Sequence, residues 1–392
     1  MNRHAIYLLA ILMLASCGKP AGEPMSLRMV RSEMSRCPDA TWLDFCEGKV
    51  SWNYTPGLEM KAFLDVYQTY GGEDIVGYVD AWYDRCIEGD GHITYYSSGD
   101  YTVDKVCPAR TMFQLYDITG KEKYRFALDS MMTRLSQHPR TSEGAFWHKT
   151  IYPYQVWLDG LYMAEPFYAE YVSRYASDKV EGWADIINDF TVAARHTYDP
   201  VTGLYRHAWD ESLSMFWCDP ETGQSRHCWG RALGWYCMAL VDVLELIPEG
   251  TDGREGLIGI LRGIVDVLPS FADPETGMWY QVLDCPGREG NYLEATCSAM
   301  FSYTLLKGVR LGYLDGSLED YAEKVYDGVV ETFITEDEEG LLSIDQCCSV
   351  GGLGGKQMRM GDYAYYLSEP VRSNDPKGVG PFIWASLEME RR

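Results

Sequence analysis

Thr276-Gly277-Met278-Trp279-Tyr280 is one copy of a short phrase that returns along the chain. Glu143-Gly144-Ala145-Phe146-Trp147, Thr202-Gly203-Leu204-Tyr205 and Glu339-Gly340-Leu341-Leu342 repeat its order: an acidic residue or threonine, a glycine turn, then apolar or aromatic side chains. The glycines stand 59, 74 and 63 residues apart, which is the length of a helical hairpin with its connections. Apolar residues at helical spacing predict helices over Gly57 to Tyr70, Pro108 to Tyr116, Glu122 to Ser136, Trp183 to Tyr198, Trp229 to Leu246, Leu257 to Phe271 and Glu294 to Leu311. Gly or Pro closes most of them, and strand alternation is scarce. Hairpins that cannot bury both faces alone must stack or close. Five or six fit, and aromatics gathered in one region favour a closed double ring of helices with one pocket over an open solenoid.

The 392 residues carry 46% hydrophobic and 23% charged side chains, so the chain is not a disordered one. A net charge of −24 argues against nucleic acid as the partner. Aromatics reach 14%, with 29 tyrosines and 12 tryptophans, a composition suited to a carbohydrate-binding groove as well as to a large core.

Arg3 and the apolar run Ile6 to Leu14 form a signal h-region too short to span a bilayer. It ends in Leu14-Ala15-Ser16-Cys17-Gly18, a bacterial lipobox pattern, so lipidation is expected at Cys17. The expected organisation is a signal peptide over 1–16, a tether over 17–35 and one catalytic domain over 36–392, with export and a lipid anchor as the only membrane attachment. Eleven cysteines remain after Cys17, an odd number, so at least one thiol is free. No zinc-like Cys/His spacing occurs, so no metal is expected.

Five of the seven histidines fall between His138 and His227, and seven of the twelve tryptophans between Trp147 and Trp235, which points to a site in that span. Asp159 stands among Trp157, Leu158, Leu161 and Met163. A carboxyl in apolar surroundings should have a raised pKa, as a general acid requires; a capping aspartate is the structural alternative. In Trp229-Gly230-Arg231-Ala232-Leu233-Gly234-Trp235, two indoles beside a guanidinium suit stacking on a sugar and gripping its carboxylate, with an aromatic core stripe as the plainer reading. The glycines of Gly351 to Gly355 and the stretch Asn374 to Pro381 lack a phosphate-loop ending and read as a rim loop, flexible or closely packed.

From about Trp52 to Trp384 the chain resembles the unsaturated rhamnogalacturonyl hydrolases, glycoside hydrolase family 105, and the related unsaturated glucuronyl hydrolases. The resemblance is carried by Trp52-Asn53-Tyr54, the stretch from Pro139 to His148, Trp157 to Met163, Trp229 to Trp235, Gly351 to Gly355 and Asn374 to Phe382. It implies an all-α, (α/α)6 barrel. It further implies Asp159 as general acid, Asp104 as a second pocket carboxylate, and Tyr54, His148, Trp157, His207, Trp229, Arg231 and Trp235 as substrate-binding residues, with no cofactor. The implied substrate is an oligosaccharide ending in a 4,5-unsaturated uronic acid, cleaved after protonation of its vinyl ether, as in pectin degradation. Where the family often has a small or polar pair between Arg231 and Trp235, this chain has Ala232 and Leu233. A conventional inverting glycosidase, a non-catalytic glycan-binding lipoprotein and a sugar epimerase are the alternatives.

Overall fold

The computed structural model describes residues 22–97, 99–176 and 180–392. In chain order the helices are α1 (Met25–Arg36), α2 (Tyr54–Tyr70), α3 (Glu73–Cys86), α4 (Arg110–Thr119), α5 (Glu122–Leu135), α6 (Leu158–Tyr175), α7 (Val180–Thr197), α8 (Gly230–Leu244), α9 (Arg254–Val267), α10 (Ala295–Arg310), α11 (Glu319–Phe333), the short α12 (Tyr363–Ser368) and α13 (Pro376–Glu390). Among the described residues, α2, α4, α6, α8, α10 and α13 form a closed inner ring in which each packs on the next and α13 returns to α2. The outer helices α1, α3, α5, α7, α9 and α11 lie against it. This is the expected (α/α)6 barrel.

The two rings differ in their sequences for a physical reason. Every residue of α8 is buried, and nearly every residue of α10 and α13, because an inner helix has neighbours on all sides. An outer helix buries one stripe: in α9 it is Leu257, Ile258, Leu261, Ile264 and Val265. Close approach within the inner ring needs small residues. A Cβ on Gly57 would stand 2.7 Å from the Cα of Pro108, which is backbone and cannot swing away.

Turns from inner to outer helices are short, whereas the connections from outer to inner helices are long and lie together at one end. Four of them contain the recurrent glycine phrase, and Gly144, Gly203, Gly277 and Gly340 all take left-handed φ of +92°, +75°, +74° and +82°. The same connections carry antiparallel pairs: β1 (Gln155–Trp157) with β2 (Ala208–Asp210), β3 (Ile334–Glu336) with β4 (Leu342–Ile344), and β5 (Cys347–Cys348) with β6 (Val371–Arg372). Backbone bonds such as Leu158 N to His207 O (3.0 Å), Gly230 N to Gln281 O (3.0 Å) and Ala295 N to Gln346 O (3.1 Å) join one connection to the next. An ion pair of 2.7 Å between Arg372 and Asp44 ties the last connection to the first.

Two expectations are corrected. The tether expected over 17–35 gives way to helix at Met25, where Ser26, Met29 and Val30 are buried and the Ser26 amide donates to Glu390 of α13 (2.9 Å). α1 supplies the outer partner that the sixth inner helix needs. The stretch Asn374 to Pro381, read as rim loop, instead begins α13: Asp375 caps it by accepting from the Lys377 amide (2.9 Å), and Pro376 occupies its first turn. The signal peptide and Cys17 lie outside the described residues. Of the eleven remaining cysteines all are free and seven are buried, in keeping with their reading as small hydrophobes.

Buried in the last turn of α8, Asp242 accepts from Arg110 of α4 (2.6 Å), Tyr303 of α10 (2.6 Å) and Lys307 of α10 (2.8 Å). Burial opposes its charge, yet Lys307 and Arg110 outweigh burial and hold the carboxyl well below the usual range. Asp242→Ala would leave two cations facing each other in the core. We expect a loss of about 3–5 kcal/mol of unfolding free energy, read by chemical denaturation; a parent-like midpoint would mean that this network does not hold the ring together.

Candidate active site

The long connections deliver their functional side chains to the N-terminal ends of the inner helices. Tyr54 starts α2, Asp159 lies in the first turn of α6, and Arg231 in the first turn of α8. Asp104 sits in the 3-10 turn Val103–Lys105 ahead of α4. Pairing of Trp157 with Ala208 aligns the connections before α6 and α8, and the Leu158–His207 backbone bond sets Asp159 beside His207. Asp159 Oδ2 lies 3.1 Å from His207 Nε2, and His207 Nδ1 is 2.7 Å from the Tyr366 hydroxyl.

Asp104 is held differently. Lys149 Nζ is 2.5 Å from its Oδ2, and His148 Nε2 is 3.6 Å from its Oδ1. His148 stacks on Trp157 (4.5 Å between ring centres), and Trp157 stacks in turn on Tyr152 (5.0 Å). Across the pocket the Arg231 guanidinium lies 4.6 Å from the Trp229 ring, His207 lies 4.8 Å from the same ring, and Tyr54 meets Trp235 edge-on. The structure thus brings all nine predicted pocket residues into one neighbourhood.

Their exposure divides them. The side chains of Asp104 and Asp159 are 16% and 14% exposed, whereas Trp229 and Trp235 are each 1% exposed. The indoles are therefore not the open stacking faces that the sequence suggested. Trp229 packs against both Arg231 and Tyr366, with Gly351 close to its six-membered ring, and Trp235 packs against Tyr162. Arg231 is also 1% exposed and donates one Nη to the Cys348 carbonyl.

The expected raised pKa of Asp159 is corrected too. Burial pushes it up, but the His207 imidazole, with His148 and Arg231 behind it, more than offsets burial and holds the carboxyl below its ordinary range. Its sequence neighbours are apolar; its spatial neighbours are cationic or polar. Asp104 is likewise lowered, against burial, chiefly by Lys149 and then His148. Burial pushes His148 down to about 4, so the ring is neutral at ordinary pH.

Several contributors escaped the sequence reading: Lys149, Tyr366, the Cys348 carbonyl, and Gln281, which accepts from the Trp229 indole N–H (3.0 Å). Lys149 adjoins His148 and was open to notice; the others come from connections far along the chain. The glycine run resolves as closely packed: a Cβ on Gly351 would stand 2.4 Å from the Trp229 ring. His227, Asp284 and Cys285 also cluster nearby. Arg206, 3.8 Å from Asp284, and Arg288, 4.0 Å from the Cys285 sulfur, already supply positive charge there, which makes that cluster a poor cation site.

Residues 25–392 match Glycosyl Hydrolase Family 88. A solved glycoside hydrolase of family 105 from C. acetobutylicum is 42% identical, covers 94% of this chain and 100% of its own, and superposes with a TM-score of 0.90. Protein Atu3128 of Agrobacterium fabrum is 38% identical over 235 residues, 58% of this chain and 97% of that protein. The unsaturated rhamnogalacturonyl hydrolase YesR of Bacillus subtilis is 27% identical over 272 residues, 67% of this chain and 72% of that protein. The chain belongs to this glycoside hydrolase family, 88 by its sequence and 105 by its solved relative.

Lys149→Met removes the foremost charge that lowers Asp104. Carbon-13 NMR of the carboxyl should show Asp104 titrating at higher pH than in the parent. A lowered folded pKa contributes stability above the unfolded value and loses it as pH falls through the folded one. The variant should therefore be less stable than the parent at neutral pH, and the gap should close in acid. An unmoved Asp104 titration would remove Lys149 from the account.

Proposed function

We propose, from the premise of that family membership, that the protein removes a 4,5-unsaturated uronic acid from the non-reducing end of oligosaccharides left by a polysaccharide lyase. The observation that carries this reading is the position of Asp159: it lies in the first turn of an inner helix, against His207, in the same pocket as Asp104 and Arg231. The inner-helix N-termini that open here present the positive ends of their dipoles. With a screening length of roughly 8 Å at physiological salt, these local groups, not the net charge of −24, decide how an anionic sugar is received.

The two carboxylates divide the work by what holds them. Asp104 is pinned by an ammonium and stays charged. Asp159 faces an imidazole at 3.1 Å, with no ammonium pinned against it, so it is the carboxyl assigned the proton transfer. When the uronate enters, its negative charge offsets Arg231 and expels water, and both effects raise the Asp159 pKa toward that of a general acid. The Asp159 proton is delivered to C4 of the C4=C5 bond, and the cation at C5 is shared with the ring oxygen. Water adds at C5 and returns its proton to Asp159, while Asp104, the other candidate base, stays charged against Lys149. The hemiketal opens and releases the aglycone. No metal or organic cofactor enters these steps. The B. subtilis relative supports a pectic, rhamnogalacturonan-type substrate.

Asp159→Asn should lower turnover by about 10²–10⁴-fold while binding survives, read as loss of the ultraviolet band of the conjugated acid in lyase-digested pectin. Normal turnover in the variant would remove the acid assignment. Cleavage of saturated oligosaccharides with no change in that band would favour the inverting glycosidase, and binding without any turnover the glycan-binding lipoprotein.

The Leu14 to Gly18 sequence supports export and lipid anchoring at Cys17. Cys17→Ser should shift the protein from the membrane fraction to the soluble one in bacterial cells; an unchanged distribution would reject the anchor.

A further inference from the structure

Beside the His148–Trp157 stack lies a cavity of about 10 Å³, lined among others by Phe146, His148, Gly160, Leu161, Glu165 and Asp189. That is the room one ordered water occupies, and a water there needs at least two polar partners. Two are present. His148 Nδ1 and Glu165 Oε2 are both buried with no hydrogen-bonding partner among the described residues, on side chains 4% and 1% exposed. Gly160 shares the cavity wall, and a Cβ there would stand 3.2 Å from His148 Nδ1. The bare Cα keeps the space in front of that nitrogen open.

The carboxyls beside the cavity are not equivalent. Asp189 accepts from the Phe146 amide (3.2 Å) and lies 3.8 Å from the Arg140 guanidinium, so it is the better placed of the two to carry charge. Glu165 has neither partner, and burial with Asp189 beside it pushes its carboxyl up. Its proton is directed to Asp189, which leaves Oε2 as an acceptor facing the cavity. On the opposite edge of the imidazole, Nε2 faces the Asp104 carboxylate at 3.6 Å, where an N–H is favoured.

We propose that one water in this cavity donates to both His148 Nδ1 and Glu165 Oε2, which makes Glu165 a positioning residue that holds His148 in the tautomer with its proton on Nε2, facing Asp104. The catalytic consequence rests on the reading of Asp104 as a pocket carboxylate; the tautomer itself does not. A ligating or orienting histidine commonly owes its tautomer to such a partner on its other nitrogen.

Nitrogen-15 NMR of the histidine-labelled full chain tests the tautomer without substrate. The parent should show His148 neutral, with Nε2 protonated and Nδ1 bare. Glu165→Leu should give a mixture or the opposite tautomer and lower kcat on the order of tenfold with little change in KM. Glu165→Gln, whose amide oxygen still accepts, should restore both. Gly160→Ala, which fills the space without touching Glu165, should reproduce the leucine variant's spectrum, and it serves if that variant does not fold. A parent His148 protonated on Nδ1, a tautomer unmoved by Glu165→Leu and Gly160→Ala, or failure of glutamine to rescue would each overturn the proposal. If the parent turned over no unsaturated substrate, only the function would fall, because the spectrum is read on the resting protein.

Discussion

Ring closure is the constraint that the rest of this molecule inherits. Six inner helices enclose one another, and α8, α10 and α13 are buried along nearly their whole length, so their residues are mostly apolar or small. Charge inside such a barrel is tied across helices: Asp242 balances Arg110 and Lys307 between α4, α8 and α10, and Asp65 of α2 takes Lys61 together with Gln114 of α4 and Trp384 of α13. At one end the turns are short; at the other the connections are long enough to carry strands, aromatic stacks and both accessible carboxylates. The candidate site lies where the inner-helix N-termini meet the long connections.

The electrostatics of the pocket follow from that placement. Taken whole, the chain is strongly acidic, but an ammonium and two imidazoles lie within 3.6 Å of Asp104 or Asp159, and the Arg231 guanidinium also acts on Asp159. Both carboxyls are largely enclosed, which raises their pKa, and their partners more than offset it. The partner differs in kind, an ammonium for Asp104 and an imidazole for Asp159, and this difference separates two residues that look alike in sequence.

The sequence made the barrel legible through its repeated glycine phrase, because each copy needs a left-handed turn at the same point of a connection. Outer helices with one apolar stripe, such as α9, could be read directly. α13 could not: its Gly378, Gly380 and Pro381 resemble a loop, and only its enclosure between α10 and α2 makes a helix of them. α1 was lost because its buried face includes Ser26 and Ser32, whose hydroxyls are satisfied by Glu390 and by the backbone of its own helix. The pocket residues were recognisable by motif, but their state was not. His207 lies 48 positions beyond Asp159 in the chain and Tyr366 a further 159, so no local window could reveal that an aspartate in an apolar phrase is held ionised.

Gly351 touching the Trp229 ring has a wider consequence. That indole also packs against Arg231, Tyr366 and His207. A bulkier residue at 351 is therefore intolerable beside tryptophan yet acceptable beside a smaller ring. The effect of one substitution depends on the identity of a residue more than a hundred positions away. Evolution of this pocket is bound by such epistasis: changes in one connection become accessible only after compensating changes in another, and libraries that vary a single loop would sample little of what the barrel can accommodate.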